Sequence, residues 1–372
     1  MPGSPERLTR LLEEAYPELS VVREAAGDVP VFVVGGAVRD LLLGRDRADL
    51  DLLVIGDPAA LASRLGGDVV HHERFATAAA MLGEHRVDIA MARTEAYSHP
   101  GALPDVEPAP DIEADLSRRD FTINAMAIPV SERAALVDPH GGLADLEAGV
   151  LRVLHGRSLA DDPTRAIRAA RYAARFGFVP ETQTLAQIEA ADLGSVSADR
   201  REAELLRLTA EPMAVRALEL LAEWGVIDPA GDGLELAAGL DELFSAAPWA
   251  GFVRRDRALL VAALGPQPDV SELLGPAPTS PSAGVARAAG RDAVELALAR
   301  AQGAAWLDRY LRDWSRVSLE IRGDDLIAAG VPQGPAVGRG LDAALRRKLD
   351  GELDGREAEL GAALEAARQG AT

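Results

Sequence analysis

The sequence predicts a mixed α/β head followed by an all-helical body. Short β-branched and apolar runs, separated by glycine turns, fill roughly the first 145 residues and indicate strands between helices. Beyond them, apolar residues recur about every 3.6 positions, which is typical of amphipathic helices. All six histidines lie in the first 155 residues, so the two parts differ in composition as well as in periodicity.

The head has several short strand-like segments. Residues 31–34 (VFVV) form a β-branched run that ends at Gly35 and Gly36, and a helical pattern follows over 37–43. Residues 98–110 are rich in proline and predict a loop. The other strand-like segments are 51–55, 87–91 and 123–130.

Helical periodicity dominates the rest of the chain. Two stretches rich in breaking residues, 229–233 and 266–283, predict linkers between helices. The predicted helices are 159–176, 199–208, 214–224, 252–264, 293–317 and 341–367.

Composition excludes several classes of protein. A net charge of −20 argues against binding nucleic acid over an open surface, although it permits a local basic groove. The absence of cysteine excludes disulfides, thiolate metal sites, iron–sulfur clusters and cysteine nucleophiles. No apolar run approaches the ~20 residues of a membrane helix, and no signal peptide is visible. We therefore expect a soluble, cytoplasmic protein.

The turn at Gly35 and Gly36 has features of an anion site. It joins a strand directly to a helix, and glycine lets backbone amides approach a phosphate at the helix N-terminus. Arg39, about one turn into the helix, could donate a charge-assisted hydrogen bond to the same anion. A Gly-Gly pair alone is more often an ordinary tight turn, so its neighbours must strengthen this hypothesis.

Asp49 and Asp51 are the candidate metal ligands. Residues two apart on a strand share a face, so both carboxylates converge while Leu50 packs behind them. Such a pair can hold divalent cations, and two ions ~3.5–4 Å apart activate a hydroxyl and stabilise a leaving pyrophosphate. A bare Asp-x-Asp is usually a solvated edge, but here it follows Gly-Gly-x-x-Arg closely and opens an apolar strand. We interpret Asp88, on a later strand, as a surface acid outside the site.

Two arginine-rich segments provide candidate contacts to a nucleotide. Arg119 lies in RRDFTINA (118–125), where Asp120 is placed to hold one of the two arginines. In DDPTRAIRAARY (161–172), arginines recur every three residues along one side of a helix. Without interleaved acids they would repel one another unless an anion lies against them. The candidates in this second segment are Asp162, Arg165, Arg168 and Arg171.

Asp162 and Arg165 together could recognise a base. A carboxylate accepts from the exocyclic amine of cytosine or adenine, while an arginine donates to ring acceptors. Arg168 and Arg171 would then remain for the ribose and phosphates. The alternative is a solvated arginine face on an amphipathic helix.

These motifs resemble those of the class II tRNA nucleotidyltransferases and the related bacterial poly(A) polymerases. The resemblance covers most of the chain and is weakest over 230–320. The segments that carry it are GGAVRDLLLG (35–44) with DLD (49–51), DLSRRDFTINAMAI (115–128), DPHGGLADLEAGVLRVL (138–154), DDPTRAIRAARYAARFGF (161–178), SADRREAELLRL (197–208) and GDDLIAAGVPQGPAVGRGL (323–341).

The resemblance implies an α+β head of the polymerase-β-like nucleotidyltransferase type, with a small mixed sheet and helices, followed by an all-α neck, body and tail. The implied activity is addition of CMP and AMP from CTP and ATP to the tRNA 3′ end, without a nucleic-acid template. The acceptor stem and T arm would contact the protein. The expected bounds are 1–146 for the catalytic head, 147–212 for the nucleotide-selecting neck, 213–320 for the body and 321–372 for the tRNA-binding tail.

The resemblance also implies roles for single residues. Asp49 and Asp51 fall on the catalytic ligands of two Mg²⁺ ions. The implied nucleotide contacts are Gly36, Arg39 and Arg119 in the head and Asp162, Arg165, Arg168 and Arg171 in the neck.

Three positions depart from the family pattern. Asp161 and Asp199 stand where glutamate is usual, and Arg201 stands where an aliphatic residue is usual. The selecting residues Asp162 and Arg165 are present, so the change at Asp161 affects only a supporting acid.

The exact product stays open at this point. Family members add CCA, only CC, only the terminal A, or poly(A) tails. The acidic segment 352–360 argues against a poly(A) polymerase, which is expected to carry a basic tail. The loop 98–110 lies where the family has its flexible specificity loop, but its sequence does not choose among the tRNA products. A catalytically idle RNA-binding protein is the alternative from another class, and the intact pair Asp49 and Asp51 argues against it.

Overall fold

The computed structural model describes residues 5–45, 49–66, 77–131 and 135–369. The chain forms two compact units, Met1–Asp228 and Pro229–Thr372. The strands described all lie in the first unit, and the second is helical. The prediction of a mixed α/β part followed by helices is therefore confirmed, whereas the division into head, neck, body and tail stays a prediction.

The β-strands of the first unit are short. They are β1 (Val31–Val34), β2 (Leu50–Val54), β3 (Thr77–Leu82), β4 (His85–Met91), β5 (Arg93–Ala96), β6 (Asp105–Pro108), β7 (Ala127–Pro129), β8 (Val150–Leu151) and β9 (Val179–Pro180).

Five of these strands form a mixed sheet in the order β3-β4-β2-β1-β7. β1 pairs antiparallel with β2 and β7, while β4 runs parallel to β2 and antiparallel to β3. Apolar side chains such as Val33, Leu52 and Ile89 are buried in the core of this unit, which explains why the strands read as apolar runs. β5 and β6 form a separate hairpin, so the prediction of a loop was wrong at 105–108.

The helices of the first unit surround these strands. They are α1 (Pro5–Ala15), α2 (Leu19–Ala26), α3 (Gly36–Leu42), α4 (Pro58–Arg64), α5 (Ile112–Leu116), α6 (Gly142–Ala148), α7 (Ser158–Asp161), α8 (Arg165–Phe176), α9 (Thr182–Glu189), α10 (Ala198–Thr209) and α11 (Ala214–Glu223).

The predicted helix 159–176 is broken in two, between α7 and α8. Asp162 is extended, with φ −133° and ψ 92°, because the residue before a proline is pushed out of the helical region. Its carboxylate accepts hydrogen bonds from the backbone N–H and the hydroxyl of Thr164, at 3.1 and 2.7 Å. α8 then ends at Gly177 in the left-handed conformation, φ +72°. The break leaves the Asp162 side chain just before the arginine-bearing helix.

The second unit contains helices with short connections. Two long predicted helices, 293–317 and 341–367, are each divided, and the predicted linker 266–283 contains helical turns. The helices are α12 (Gly233–Leu243), α13 (Arg255–Leu264), α14 (Ser271–Leu274), α15 (Pro281–Ala288), α16 (Ala293–Ala301), α17 (Leu307–Arg312), α18 (Gly323–Ala328), α19 (Pro335–Leu349) and α20 (Gly355–Gln369).

The C-terminal helices enclose an apolar core with one buried acid. Leu326, Ala344 and Ala363 pack in this core. The Glu359 side chain is fully buried, where it accepts backbone N–H bonds from Glu320 and Ile321 and pairs with Lys348. In the described residues of either unit, no helix is long and apolar enough to cross a membrane.

Candidate active site

A cleft of about 540 Å³ in the first unit collects residues from the sheet, the Gly-Gly turn and α8. Nine arginines and four carboxylates line it, so it is strongly basic although the whole chain carries a net charge of −20. Asp49, the remaining predicted residue, is exposed and immediately precedes β2. The predicted site residues that line the cleft are Gly36, Arg39, Asp51, Arg119, Asp162, Arg165, Arg168 and Arg171.

The strand–helix turn is constrained at Gly35, the first glycine of the predicted Gly-Gly turn. Gly35 has φ +64° and ψ −126°, a conformation that side-chain-bearing residues rarely adopt, and Gly36 is the first residue of α3. A Cβ atom on Gly35 would lie 2.9 Å from Nη1 of Arg119. The absence of a side chain therefore lets the Arg119 guanidinium lie directly against the turn.

Asp51 lies on β2 at the edge of two clefts, where it is close to other acids. Asp51 is exposed to solvent, but partial burial of its carboxylate raises its pKa to about 6, with further contributions from the charges of Asp88 and Asp49. Asp88 pairs with Asp51 in the parallel register of β2 and β4, and Arg86 binds it with two donors at 2.8 and 2.9 Å. The prediction of Asp88 as a surface acid outside the site is only partly right, because about half of its side chain is exposed but the register places it beside Asp51.

The acid cluster suits a divalent cation. Neighbouring carboxylates repel one another, and this repulsion disfavours the charged form of Asp51. A divalent cation bound by the carboxylate oxygens would relieve that repulsion. In the part of the chain that the structure describes, no group of three or more metal-ligating side chains is preassembled. Asp49 and Asp51 are thus a pair of candidate ligands with Asp88 nearby.

Asp115 holds both arginines of the segment RRD, a role that the sequence suggested for Asp120. One oxygen of Asp115 accepts from Arg118 at 2.8 and 3.0 Å, and the other accepts from Arg119 at 3.1 and 3.3 Å. Burial lowers the pKa of Arg119, an effect that the charge of Asp115 opposes. The prediction for Asp120 was therefore wrong, because its partners lie on other elements.

Asp120 instead joins α8 to α3 through a buried polar network. Its Oδ2 lies 2.7 Å from Nη2 of Arg168, and its Oδ1 accepts from the side-chain amide of Asn124 at 3.0 Å. Asn124 in turn accepts from Nη1 of Arg39 at 2.6 Å. Burial alone would raise the pKa of Asp120, but the charge of Arg168 and the bond from Asn124 outweigh it and lower that pKa. The charge of Asp120 likewise raises the pKa of Arg168.

Arg168 and Arg171 of α8 do not depend on a ligand for their charge balance. Arg168 pairs with Asp120, and Arg171 has Glu211 at 3.8 Å. For these two side chains, the expectation of repulsion without a bound anion was therefore wrong, since acids from other elements approach them. Arg39 is also buried, with its guanidinium 4.7 Å from the centre of the Phe176 ring.

The two candidate base-reading side chains are held in place from outside their own segment. Arg165 is buried and donates to the Ser158 hydroxyl and, at 2.8 Å, to the carbonyl of Arg118. Asp162 accepts from Nη2 of Arg200 at 3.3 Å, and Nη1 of Arg200 donates to the Gly101 carbonyl at 2.9 Å. Both side chains are thus ordered in the absence of a ligand.

Several residues at the site were missed by the sequence-based prediction or placed outside the site, among them Asp88, Asp115, Asn124 and Arg200. Asp115 and Asn124 flank Arg119 within one motif, so their proximity in the chain was an available signal. Asp88 and Arg200 could not be assigned to the site from a local pattern. Asp88 reaches the site through the register of β2 and β4, and Arg200 through the packing of α10.

Comparisons with known proteins identify the family of the chain. Residues 31–152 match the family model described as the poly A polymerase head domain. The chain is 38% identical over 363 residues to the CC-adding tRNA nucleotidyltransferase of Deinococcus radiodurans, covering 91% of this chain and 92% of that protein.

Solved structures are similar along almost the whole chain. The Thermotoga maritima CCA-adding enzyme complexed with tRNA superimposes with a TM-score of 0.74 and 28% identity, covering 96% of this chain and 98% of that one. A CCA-adding enzyme in complex with CTP gives a TM-score of 0.76 and 28% identity, covering 98% of each chain. The shared fold, together with 38% sequence identity over nearly the full length of a relative, shows that the protein is a nucleotidyltransferase.

The chain belongs to the tRNA nucleotidyltransferase family. The resemblance drawn from the motifs is confirmed, while the roles of the single site residues stay predictions.

Proposed function

We propose that this protein transfers CMP and AMP from CTP and ATP to the 3′ end of tRNA without a nucleic-acid template. The observation that carries the proposal is the basic cleft, where nine arginines outnumber four carboxylates in an otherwise acidic chain. A polyanionic nucleoside triphosphate fits such a cleft, and Asp51 at its edge would lie beside the reacting phosphate. A tRNA substrate also favours a cytoplasmic location.

Asp49 and Asp51 would hold Mg²⁺, with two ions as the expected number. The chemistry that such ions supply when bound is activation of the attacking RNA hydroxyl and neutralisation of charge on the leaving pyrophosphate. The raised pKa of Asp51, caused by burial and by Asp88 and Asp49, supports a site that is completed by a cation.

The arginines would bind and orient the nucleotide. Arg119 and Arg168 are held by Asp115 and Asp120, so their donors are oriented before a ligand arrives. Gly36 and Arg39 would add contacts from the turn and α3, and Arg171 would add one from α8. This preorganisation lowers the entropy that binding must remove.

Base selection would rest on Asp162 and Arg165. Both side chains are fixed by neighbouring groups, so a base with the wrong hydrogen-bond pattern would leave donors or acceptors unpaired. An unpaired buried polar group costs about 1–3 kcal/mol, enough to discriminate among nucleotides.

The test is incorporation of labelled CTP, ATP or both, with Mg²⁺, into tRNA transcripts that end before the first C, after CC, or in CCA. Extension by CMP and AMP supports the proposal, and no incorporation into any transcript would contradict it and favour an idle RNA-binding protein. Asp49→Ala should abolish incorporation of both nucleotides. Arg165→Ala should mainly weaken discrimination against UTP and GTP, and Asp111→Ala, which removes an exposed helix cap, is the control for folding.

Addition of CC alone is the second candidate. The observation that favours it is 38% identity over nearly the full length of a CC-adding relative. Extension that stops after CC would support it, whereas three-nucleotide extension would support complete CCA addition. Extension only of the CC-ended transcript would indicate an A-adding enzyme, and long adenylate ladders a poly(A) polymerase.

A further inference from the structure

Asp115 is a fully buried carboxylate that binds two of the arginines lining the basic cleft. It lies in α5, and each of its oxygens binds a different guanidinium: Oδ1 accepts from Arg118 and Oδ2 from Arg119. Oδ1 also accepts from the backbone N–H of Arg93 at 3.0 Å. Burial alone would raise the pKa of this carboxyl, but the charges of Arg119 and Arg118 outweigh that effect and lower it. Asp115 is therefore charged at neutral pH.

The two arginines depend on Asp115 to different degrees. Arg118 has a second acid, because its Nη1 donates to Glu95 at 2.8 Å. In the described chain, Asp115 is the acid that forms an ion pair with Arg119. The fork contact uses Nε and Nη2 of Arg119, and Nη1 donates to the Asn124 carbonyl at 3.3 Å.

This arrangement determines where the charge of Arg119 lies. Its guanidinium is packed against Gly35, and its side chain is 16% exposed where it lines the basic cleft. Its positive charge also reaches Asp51, whose pKa it lowers against the larger effect of burial. Arg119 thus lies against the Gly-Gly turn and close enough to Asp51 for its charge to act there, where the phosphates of a bound nucleotide would be expected.

We propose that Asp115 is a positioning residue for nucleotidyl transfer, which acts by holding the Arg119 guanidinium in the orientation that binds the triphosphate. The inference rests on the proposed function, because it assumes that a nucleoside triphosphate occupies the cleft. A two-point contact between a carboxylate and a guanidinium fixes both the direction and the plane of the donors, which a single charge does not.

Asp115→Asn separates the effect of Arg119 orientation from the effect of the Asp115 charge, because the two effects change CTP binding in opposite directions. Removal of a buried negative charge makes the cleft more positive and would tighten CTP binding if charge alone mattered. Loss of the two-point contact would release Arg119 and weaken CTP binding. We expect the dissociation constant for CTP with Mg²⁺, measured by calorimetry without tRNA, to rise about tenfold. CMP lacks the β- and γ-phosphates, so its dissociation constant should change by less than about twofold.

Two further variants exclude a purely structural role. Asp111→Ala removes the cap of the same helix, where its side chain accepts from the Ala114 N–H at 2.9 Å, and should lower the melting temperature without altering CTP binding. Arg119→Ala combined with Asp115→Asn should bind CTP no more weakly than Arg119→Ala alone, since Asp115 acts through Arg119. If Asp115→Asn does not fold, Arg119→Lys tests the part of the proposal that concerns Arg119, because an ammonium cannot form the two-point contact with Asp115.

The outcomes are distinct. The proposal is supported if Asp115→Asn weakens the binding of CTP but not of CMP. It also requires that Asp115→Asn causes no further loss of CTP binding when Arg119 is already alanine. Equal or tighter CTP binding by Asp115→Asn, equal losses for CTP and CMP, or unchanged CTP binding by Arg119→Lys would overturn it. A wild-type protein that binds CTP but transfers nothing to tRNA would refute the proposed function and leave the Asp115 comparison valid, and one that does not bind CTP would refute both.

Discussion

The turn between β1 and α3 makes a quantitative prediction through Gly35→Ala. Gly35 has φ +64° and ψ −126°, and Gly27, at the end of α2, has nearly the same backbone, with φ 59° and ψ −122°. A Cβ atom on Gly35 would lie 2.9 Å from Nη1 of Arg119, whereas one on Gly27 would meet nothing within 4 Å. The two glycines therefore share the same backbone strain, and a Cβ atom would meet the Arg119 side chain only at Gly35.

The structure separates the effects of the two substitutions on stability and on activity. An alanine in this backbone region costs about 1–3 kcal/mol, so Gly27→Ala and Gly35→Ala should lower the free energy of unfolding by similar amounts. Ordinary contact begins near 3.4 Å, so the Arg119 guanidinium would have to move by roughly 0.5 Å in Gly35→Ala alone. Displacements of this size at an orienting group reduce kcat/KM by about tenfold or more.

Urea unfolding measures the first effect, and initial rates of CMP incorporation measure the second. We expect the two variants to have matching midpoints, with Gly27→Ala retaining the wild-type rate and Gly35→Ala losing about tenfold in kcat/KM. If both variants retain the same rate, the position of Arg119 against the turn has no part in catalysis and the reasoning is refuted.

Two other predictions concern stability. The pKa of Asp120 is lowered, chiefly because the charge of Arg168 outweighs the effect of burial. Ionised Asp120 therefore stabilises the folded state at a pH above 3.8, the ordinary pKa of the carboxyl group. This stabilisation is lost as the pH falls through the lower pKa of Asp120 in the folded protein. Asp120→Asn should cost about 3–5 kcal/mol at neutral pH, because it leaves the Arg168 charge without its buried partner. It should also flatten the acid limb of the plot of unfolding free energy against pH, and an unchanged acid limb would contradict the assignment. In the second unit, a Cβ on Gly284 would lie 2.4 Å from the Trp314 ring, so Gly284→Ala should destabilise by about 1–3 kcal/mol in urea unfolding. Gly361→Ala in α20 meets nothing within 4 Å and should instead stabilise by about 0.5–1 kcal/mol; destabilisation by both would mean that local crowding is not the cause.

Local features of the site could be predicted from the sequence because they depend on neighbours in the chain. A β-branched run that ends at Gly35 can only turn sharply, and a three-residue arginine spacing keeps Arg165 and Arg168 near one side of a helix. Pro163 also indicates the break before α8, but the helical periodicity on both sides of it predicted one continuous helix over 159–176. Its consequence is large, since the break frees Asp162 from the helix.

Partners far apart in the chain could not be predicted in this way. Asp120 pairs with Arg168 rather than with the adjacent arginines, because the packing of α8 brings that guanidinium within 2.7 Å. Asp88 faces Asp51 only because β4 lies parallel to β2 in one register. A shift of one residue would turn Asp88 to the other face.

The sequence by itself predicted an α/β part followed by helices, a candidate metal-binding pair and eight of the residues that line the basic cleft, since each of these follows from spacing along the chain. Tertiary structure decided which acid neutralises which arginine, and hence which guanidinium is held in place. Ion pairs depend steeply on separation, and separation between distant segments is set by how strands register and helices pack.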